Sequence, residues 1–225
     1  MYRPAVANAA VGLIETVRVR GGTLPFLGRH LARLTRSLGA LDLPPPDRDV
    51  AALVKPFAGL GEGVLRIDVR GGHASVTVRE FVPPPDAPRV VTARVHHTGY
   101  PHKTSARGVF DAAADEARLA GADDALLLTA DGLVAEGTVW NAFWWEWEHL
   151  CTPALELGVL PGVARARIAS LAPLEEGRFV RTALEGRSVF LANAVRGVVP
   201  LATLDGAPVP SDPRTEDLAR RFWPG

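Results

Sequence analysis

From Gly12 to Arg20 the sequence GLIETVRVR alternates apolar and polar positions well enough for a strand, and Gly21-Gly22 turns it back toward Thr23–Phe26. The period then changes. Leu27, Leu31, Leu34, Leu38 and Leu41 recur at spacings of four and three, one face of a helix, with Arg29, His30, Arg33 and Arg36 off that seam. Pro44-Pro45-Pro46 stops the helix. A weaker helical pattern over Asp49–Phe57 leads through Gly59–Gly63 to Val64–Arg70, where Leu65, Ile67 and Val69 alternate with Arg66, Asp68 and Arg70. Gly71-Gly72 reads as a hairpin turn into His73–Val82. The first part of the chain is therefore predicted to be α+β with a largely antiparallel sheet.

Pro83-Pro84-Pro85-Asp86-Ala87-Pro88 reads as a linker, because proline stiffens the chain and has no amide hydrogen to give a sheet. It divides the sequence into a small domain, 1–82, a linker, 83–88, and a larger domain, 89–225. In the second, Arg89–Val95 reads as a strand, His96–Lys103 as an irregular polar approach, and Ser105–Leu119 as a helix with Thr104 or Ser105 as N-cap and Gly121 as terminator. Ala125–Leu128 runs up to an Asp131-Gly132 turn, and the return strand carries a single carboxylate, Glu136. After Gly137-Thr138 comes the aromatic run Trp140-Asn141-Ala142-Phe143-Trp144-Trp145, closed by Cys151-Thr152-Pro153. Pro161 stands near the start of an arginine-bearing helix reaching about Leu171. Val180–Leu184 and Ser188–Ala192 read as strands, Asn193–Leu201 as a turn into another, and Thr215–Phe222 as a short helix.

Charge and cysteine content narrow the classes. Lys+Arg and Asp+Glu balance at 25 each, so no global field argues for nucleic acid or an anionic membrane. A single cysteine, Cys151, leaves no internal disulfide and no multi-cysteine zinc site. No apolar run approaches the roughly 20 residues that cross a bilayer, and Met1-Tyr2-Arg3-Pro4 opens no signal-peptide pattern. The expectation is a cytoplasmic protein. Among the candidate residues each has a plain alternative. Lys103 fits a solvated loop charge, Arg33 the wet side of an amphipathic helix, and Glu136 a strand-edge charge against aggregation. Arg107 fits an exposed first-turn residue, and His96, His97 and His102 read as loop histidines, since no carboxylate or cysteine completes a metal-ligand spacing.

The segments His30-Leu31-Ala32-Arg33-Leu34, Lys103 four residues before Arg107, Glu136-Gly137 before Asn141-Ala142-Phe143, Leu160-Pro161-Gly162-Val163-Ala164-Arg165, and Asn193-Ala194 before Val199-Pro200-Leu201 follow one another in a familiar order. In that order the chain resembles the class IV aminotransferases, the fold-type IV enzymes that use pyridoxal 5'-phosphate (PLP). The resemblance spans Gly12 to Leu201 and implies an α+β / α/β, two-domain fold with the cofactor between the domains. Arg107 and the Asn193-Ala194 turn look more like the 4-amino-4-deoxychorismate lyase branch than the branched-chain aminotransferase branch.

What the resemblance implies has chemical sense. A PLP enzyme needs one amine both to attach the cofactor and to move the α-proton, and Lys103 matches that position. A buried carboxylate against the pyridine nitrogen keeps the ring protonated and electron-poor, and Glu136 matches it. The phosphate dianion suits an arginine and a helix N-terminus. Arg33, the amides of Val163 and Ala164, and the turn at Asn193-Ala194 match those tasks, with Arg107 and Asn141 as further contacts to substrate or cofactor. Ala164 stands where the family often has a hydroxyl, and Ala10-Val11-Gly12 where Gly-Asp-Gly is common. The resemblance implies first a lyase releasing pyruvate and 4-aminobenzoate in folate biosynthesis; the alternatives are an aminotransferase acting on branched-chain or D-amino acids and a non-catalytic homologue. The expected partners are a small-molecule amine and a second copy of the chain, because the aromatic run Trp140–Trp147 looks too apolar to be covered alone.

Overall fold

A computed structural model describes residues 11–224; Met1-Tyr2-Arg3-Pro4 and Ala10 lie outside the described residues. The chain divides into two compact units, one running to Val82 and regaining His102–Ala106, the other made of Pro83–Pro101 and the chain from Arg107 onward. The division expected at the proline linker thus needs one amendment. The segment 102–106 belongs with the first unit because its backbone bonds there: Ile14 N–H donates to Lys103 O at 2.8 Å and Ser105 N–H to Gly12 O at 2.8 Å.

In the first unit β1 (Leu13–Arg20), β2 (Glu62–Arg70) and β3 (His73–Arg79) form an antiparallel sheet in that order. Helix α1 (Leu27–Ala40) lays Leu34 and Leu38 on Val17, Val19, Leu65 and Ile67. Val17, Leu65 and Ile67 are fully buried, each contributing roughly 1.5–3 kcal/mol of transfer free energy. Thr23–Phe26 makes only a single bridge, Thr23 to Arg20, rather than a strand. The weak helix after the prolines is short, α2 (Val50–Val54), capped by Asp49 accepting from Ala51 N at 2.9 Å; Pro56 then forces a tighter 3-10 turn, Lys55–Leu60.

The second unit is built on a ten-stranded sheet. Its strands are β4 (Arg89–His97), β5 (Asp124–Thr129), β6 (Val134–Gly137), β7 (Asn141–Glu146), β8 (His149–Pro153), β9 (Leu174–Gly177), β10 (Val189–Asn193), β11 (Gly197–Pro200), β12 (Thr203–Leu204) and β13 (Ala207–Pro208). The main order is β11-β10-β7-β6-β5-β4-β12-β13, with β8 pairing β7 and β9 beside β8. Helix α3 (Gly108–Leu119) packs Phe110, Ala113 and Ala117 on Ala93, Ala125 and Leu127, and α4 (Val163–Ala169) and α5 (Pro213–Phe222) complete the helices. Two expected elements differ. Helix α3 starts at Gly108 instead of Ser105, since Ser105 is engaged by Gly12 in the first unit, and Val180–Leu184 is mostly a 3-10 turn, Arg181–Leu184.

The aromatic strand is covered by its own unit. Trp144 and Phe143 are fully buried, Trp140 and Trp145 nearly so; Trp144 meets Phe179 edge-on, Phe143 stacks on Phe190, and Trp145 Nε1 donates to Thr215 Oγ1 at 3.0 Å. Only Trp147 of the run is exposed. The uncovered apolar face that the run suggested does not exist, so it gives a homodimer no support. No helix among the described residues is long and apolar enough to cross a membrane, which leaves β-barrels unaddressed.

Candidate active site

Around Glu136 the sheet departs from regular register on both sides of β5. Between Leu126 and Leu128 of β5, β4 advances from Thr92 to His96 and β6 runs from Gly137 back to Val134, so both neighbours hold extra residues there. Such bulges re-aim side chains. Here they bring His97, from the end of β4, to Glu136, two strands away: His97 Nε2 lies 2.9 Å from Glu136 Oε1. Leu160 N–H donates to the same oxygen at 3.0 Å. Among the described residues no group bonds Oε2, although the residue is only 3% exposed. A carboxylate fixed by one oxygen and open at the other suits a single external cationic N–H. Glu136 is thus no strand-edge charge: β6 lies between β5 and β7.

Asn141 closes the arrangement. It pairs with Glu136 across β6 and β7, and its Nδ2 donates to Leu160 O at 2.9 Å, so the residue that bonds Glu136 is held from its other side. Pro161 biases Leu160 toward extended backbone. Gly162 follows, with ordinary φ of −66°, so its lack of a side chain answers to space rather than to conformation: a Cβ there would stand 1.9 Å from Asn141 Oδ1. We expect Gly162→Ala to displace Asn141, cost about 1–3 kcal/mol as an overpacked site, and lower turnover along with the melting temperature. An unchanged melting temperature with full turnover would refute that linkage.

Val163 and Ala164, both buried, open α4, and Gly162 offers them no side-chain cap. Asn193 ends β10 and uses its Oδ1 within its own turn, accepting from Val195 N at 3.0 Å and Arg196 N at 2.8 Å. Its side chain shapes the turn, leaving Ala194 and the backbone as what the turn can present. Arg107 is not an exposed first-turn residue but the half-buried N-cap position of α3: its Nη2 donates to Thr138 O at 2.6 Å and its guanidinium lies 4.9 Å from the centre of the Phe110 ring. No carboxylate pairs with it among the described residues.

In the first unit Arg33 is likewise buried, against the reading of a wet helix face, and so is His30. Both turn onto Glu15 of β1. Arg33 Nε donates to Oε1 at 2.8 Å and Nη2 to Oε2 at 2.5 Å, while His30 Nδ1 lies 2.7 Å from Oε2. Burial works to raise the Glu15 carboxyl, but the bonds from Arg33 and His30 outweigh it and hold it at about 2. Burial also pushes the His30 imidazole below its usual value, helped by the charges of Arg33 and Lys103. Lys103 is therefore within electrostatic reach of this triad, half-buried, with its carbonyl fixed on Ile14.

Sequence reasoning missed three residues. His97 passed for a loop histidine; Glu15 sat at an ordinary strand position. Asp124 was overlooked although it accepts from Thr138 N, Thr138 Oγ1 and Trp140 Nε1 at 2.9 Å each, fixing the step that follows Glu136. Burial raises the Asp124 carboxyl despite those donors. Of the other histidines, His96 is exposed and His102 Nδ1 lies 3.1 Å from Ser37 Oγ. No cluster of three or more potential metal ligands exists among the described residues.

The sequence profile of the amino-transferase class IV family matches residues 12–204, most of the chain. The chain belongs to this family. As a class IV member it has the fold-type IV architecture, and its homologues are PLP-dependent aminotransferases and lyases. It is similar to aminodeoxychorismate lyase of Bacillus subtilis, 32% identical over 88 residues, 36% of this chain and 30% of the relative. A probable branched-chain-amino-acid aminotransferase of Thermotoga maritima is 35% identical over 36% of this chain and 32% of its own length. Each of these matches spans about a third of the curated relative. D-alanine aminotransferase of Bacillus licheniformis matches more broadly, 24% identical over 89% of this chain and 81% of its own. Among solved structures, 4-amino-4-deoxychorismate lyase of Pseudomonas aeruginosa superposes with a TM-score of 0.76 at 29% identity, covering 94% of this chain and 89% of that one. A fold IV transaminase from Curtobacterium pusillum gives 0.82 at 27%, covering 94% and 83%.

Class IV members use pyridoxal 5'-phosphate. The donor set of this chain fits such a group. Among the described residues no group bonds Glu136 Oε2, which leaves that oxygen able to accept from a protonated ring nitrogen.

Proposed function

We propose that this class IV protein is a lyase similar to 4-amino-4-deoxychorismate lyase, releasing pyruvate from 4-amino-4-deoxychorismate to leave 4-aminobenzoate. The observation that carries the reading is Arg107: a half-buried guanidinium, fixed on the carbonyl two residues beyond Glu136, with no carboxylate partner among the described residues. A substrate bearing two carboxylates gives such a cation a partner; a leucine side chain does not. PLP, when bound, supplies the electron sink. Lys103 takes the proton from the amine-bearing carbon. The enolpyruvyl group leaves the neighbouring ring carbon, its oxygen keeping the bonding pair, and becomes pyruvate when its methylene carbon takes up a proton, while the ring gains aromaticity. With PLP bound, Glu136 would keep the ring nitrogen protonated, and the α4 amides and the turn at Asn193-Ala194 would hold phosphate; in the first unit Arg33 is the candidate phosphate cation.

The breadth of the match to a D-alanine aminotransferase favours a second reading, amino transfer. The test is incubation of the PLP-loaded protein with 4-amino-4-deoxychorismate and no keto acid. Equal amounts of 4-aminobenzoate and pyruvate are expected, with only slow conversion of the cofactor to its pyridoxamine form by branched-chain or D-amino acids. Fast conversion by an amino acid without any 4-aminobenzoate would replace the lyase reading with the aminotransferase one.

A further inference from the structure

The side chain that bonds Glu136 is one the family resemblance did not supply. His97 is buried, its ring edge-on to Phe110 at 5.7 Å between centroids. Gly99 N–H donates to its Nδ1 at 3.2 Å. An amide N–H cannot accept, so Nδ1 presents a lone pair and the ring hydrogen sits on Nε2, which faces Glu136 Oε1 at 2.9 Å. The same oxygen takes the Leu160 amide. Two donors converge on Oε1, and Oε2 has none among the described residues.

We infer that His97 is a positioning residue for the pyridine-nitrogen contact: locked as its Nε2–H tautomer by the Gly99 amide, it fixes the Glu136 carboxylate through Oε1 and directs Oε2 to the cofactor ring. The inference rests on the reading that Glu136 serves that nitrogen. Its logic is that of other two-layer sites, where an outer hydrogen bond sets the tautomer and orientation of the group that touches the cofactor. A partial rotation about χ3 of Glu136 would otherwise swing the free oxygen off its line at little cost, since that torsion is broad. With Oε1 doubly bonded, that rotation would strain or break two hydrogen bonds in a dry site.

The glutamine side chain places an amide N–H where Nε2–H stands, whereas asparagine reaches only the Nδ1 position. This gives a paired test. Nitrogen NMR of the unloaded wild-type protein should show His97 as the Nε2–H tautomer; an Nδ1–H signal overturns the inference before any cofactor is added. In the PLP-loaded protein, His97→Leu and His97→Asn should lose turnover by up to about 100-fold, the scale of a small misplacement at a reacting centre, with substrate KM changed less than about two-fold. Their bound-cofactor absorbance should move toward that of Glu136→Gln. His97→Gln should recover most of both properties. If Glu136→Gln leaves spectrum and turnover as in wild type, the reading of Glu136 itself falls. If Glu136→Gln alters both while His97→Leu and His97→Asn match wild type, or if His97→Gln is as impaired as they are, the positioning role is wrong and the reading of Glu136 stands.

Discussion

Borohydride added to the PLP-loaded protein will fix the cofactor on Lys103 and leave Lys55 unmodified, and Lys103→Ala will lose turnover by about 10²–10⁴-fold or more, the range assigned to a positioned proton-transfer group alone. The two lysines, the only ones in the chain, differ in what surrounds them. Lys55 opens a 3-10 turn and is exposed, one hydrated ammonium among many surface charges. Lys103 is half-buried, in a segment tied to β1 through the Ile14 and Gly12 backbone, and its charge is felt by the buried His30. A lysine that must attach to a cofactor and then move a proton needs a fixed backbone more than a low exposure, because the reacting nitrogen lies at the end of a flexible four-carbon stem. Peptide mapping of the reduced protein checks the assignment. Adduct on Lys55, or none in a PLP-saturated sample, would end it.

Much of the scaffold was legible because periodicity reports burial of apolar side chains. The leucines of α1 and the alternation of Leu65, Ile67 and Val69 fall on the core as written. The same reasoning fails where charge is buried, because it sends every polar position to water. Arg33 and His30 lie off the leucine seam, yet Glu15, eighteen and fifteen residues away, gives them a reason to be inside. No local pattern carries that information. His97 was missed for a related cause: its partner lies on a strand that is not its neighbour, and two register shifts bring them together. The helical pattern predicts a start at Ser105, just after Lys103, whereas the strand-like bonds of 102–106 to Gly12 and Ile14 delay α3 to Gly108. The ordered series of short motifs overcame these limits only in part. It named Glu136, Lys103 and Arg33 but was silent on Glu15, His97 and Asp124, which hold or neutralise their surroundings. The Val180–Leu184 strand failed as short apolar runs do, since a turn and a strand look alike over five residues.

Glu15→Ala is expected to destabilise the protein by about 3–5 kcal/mol, the cost of removing one partner from a buried ion pair. Glu15 is 1% exposed and meets Arg33 by two hydrogen bonds; without it a buried guanidinium loses its counter-charge, and His30, which can be neutral or positive only, cannot replace that charge. For a chain of this size the melting temperature should fall by about 6–20 °C. The pH dependence has a definite sign. Glu15 titrates near 4.5 when unfolded and at about 2 in the fold, so its contribution is fully present above pH 4.5 and lost as pH falls toward 2. The stability gap between wild type and Glu15→Ala should therefore be constant through neutral pH and close between about 4.5 and 2. A second variant separates the ion pair from the shape of the site. Replacing Glu15, His30 and Arg33 together by leucine or methionine should regain much of the lost stability, because apolar groups of similar volume often match or exceed a buried ionic cluster. It should regain none of the PLP affinity if Arg33 binds phosphate. Chemical denaturation from pH 3 to 8 with PLP titration of each variant decides the matter: equal stability of Glu15→Ala and wild type above pH 4.5 would show that Glu15 does not hold Arg33, and full PLP affinity in the apolar triple variant would remove Arg33 from the phosphate site.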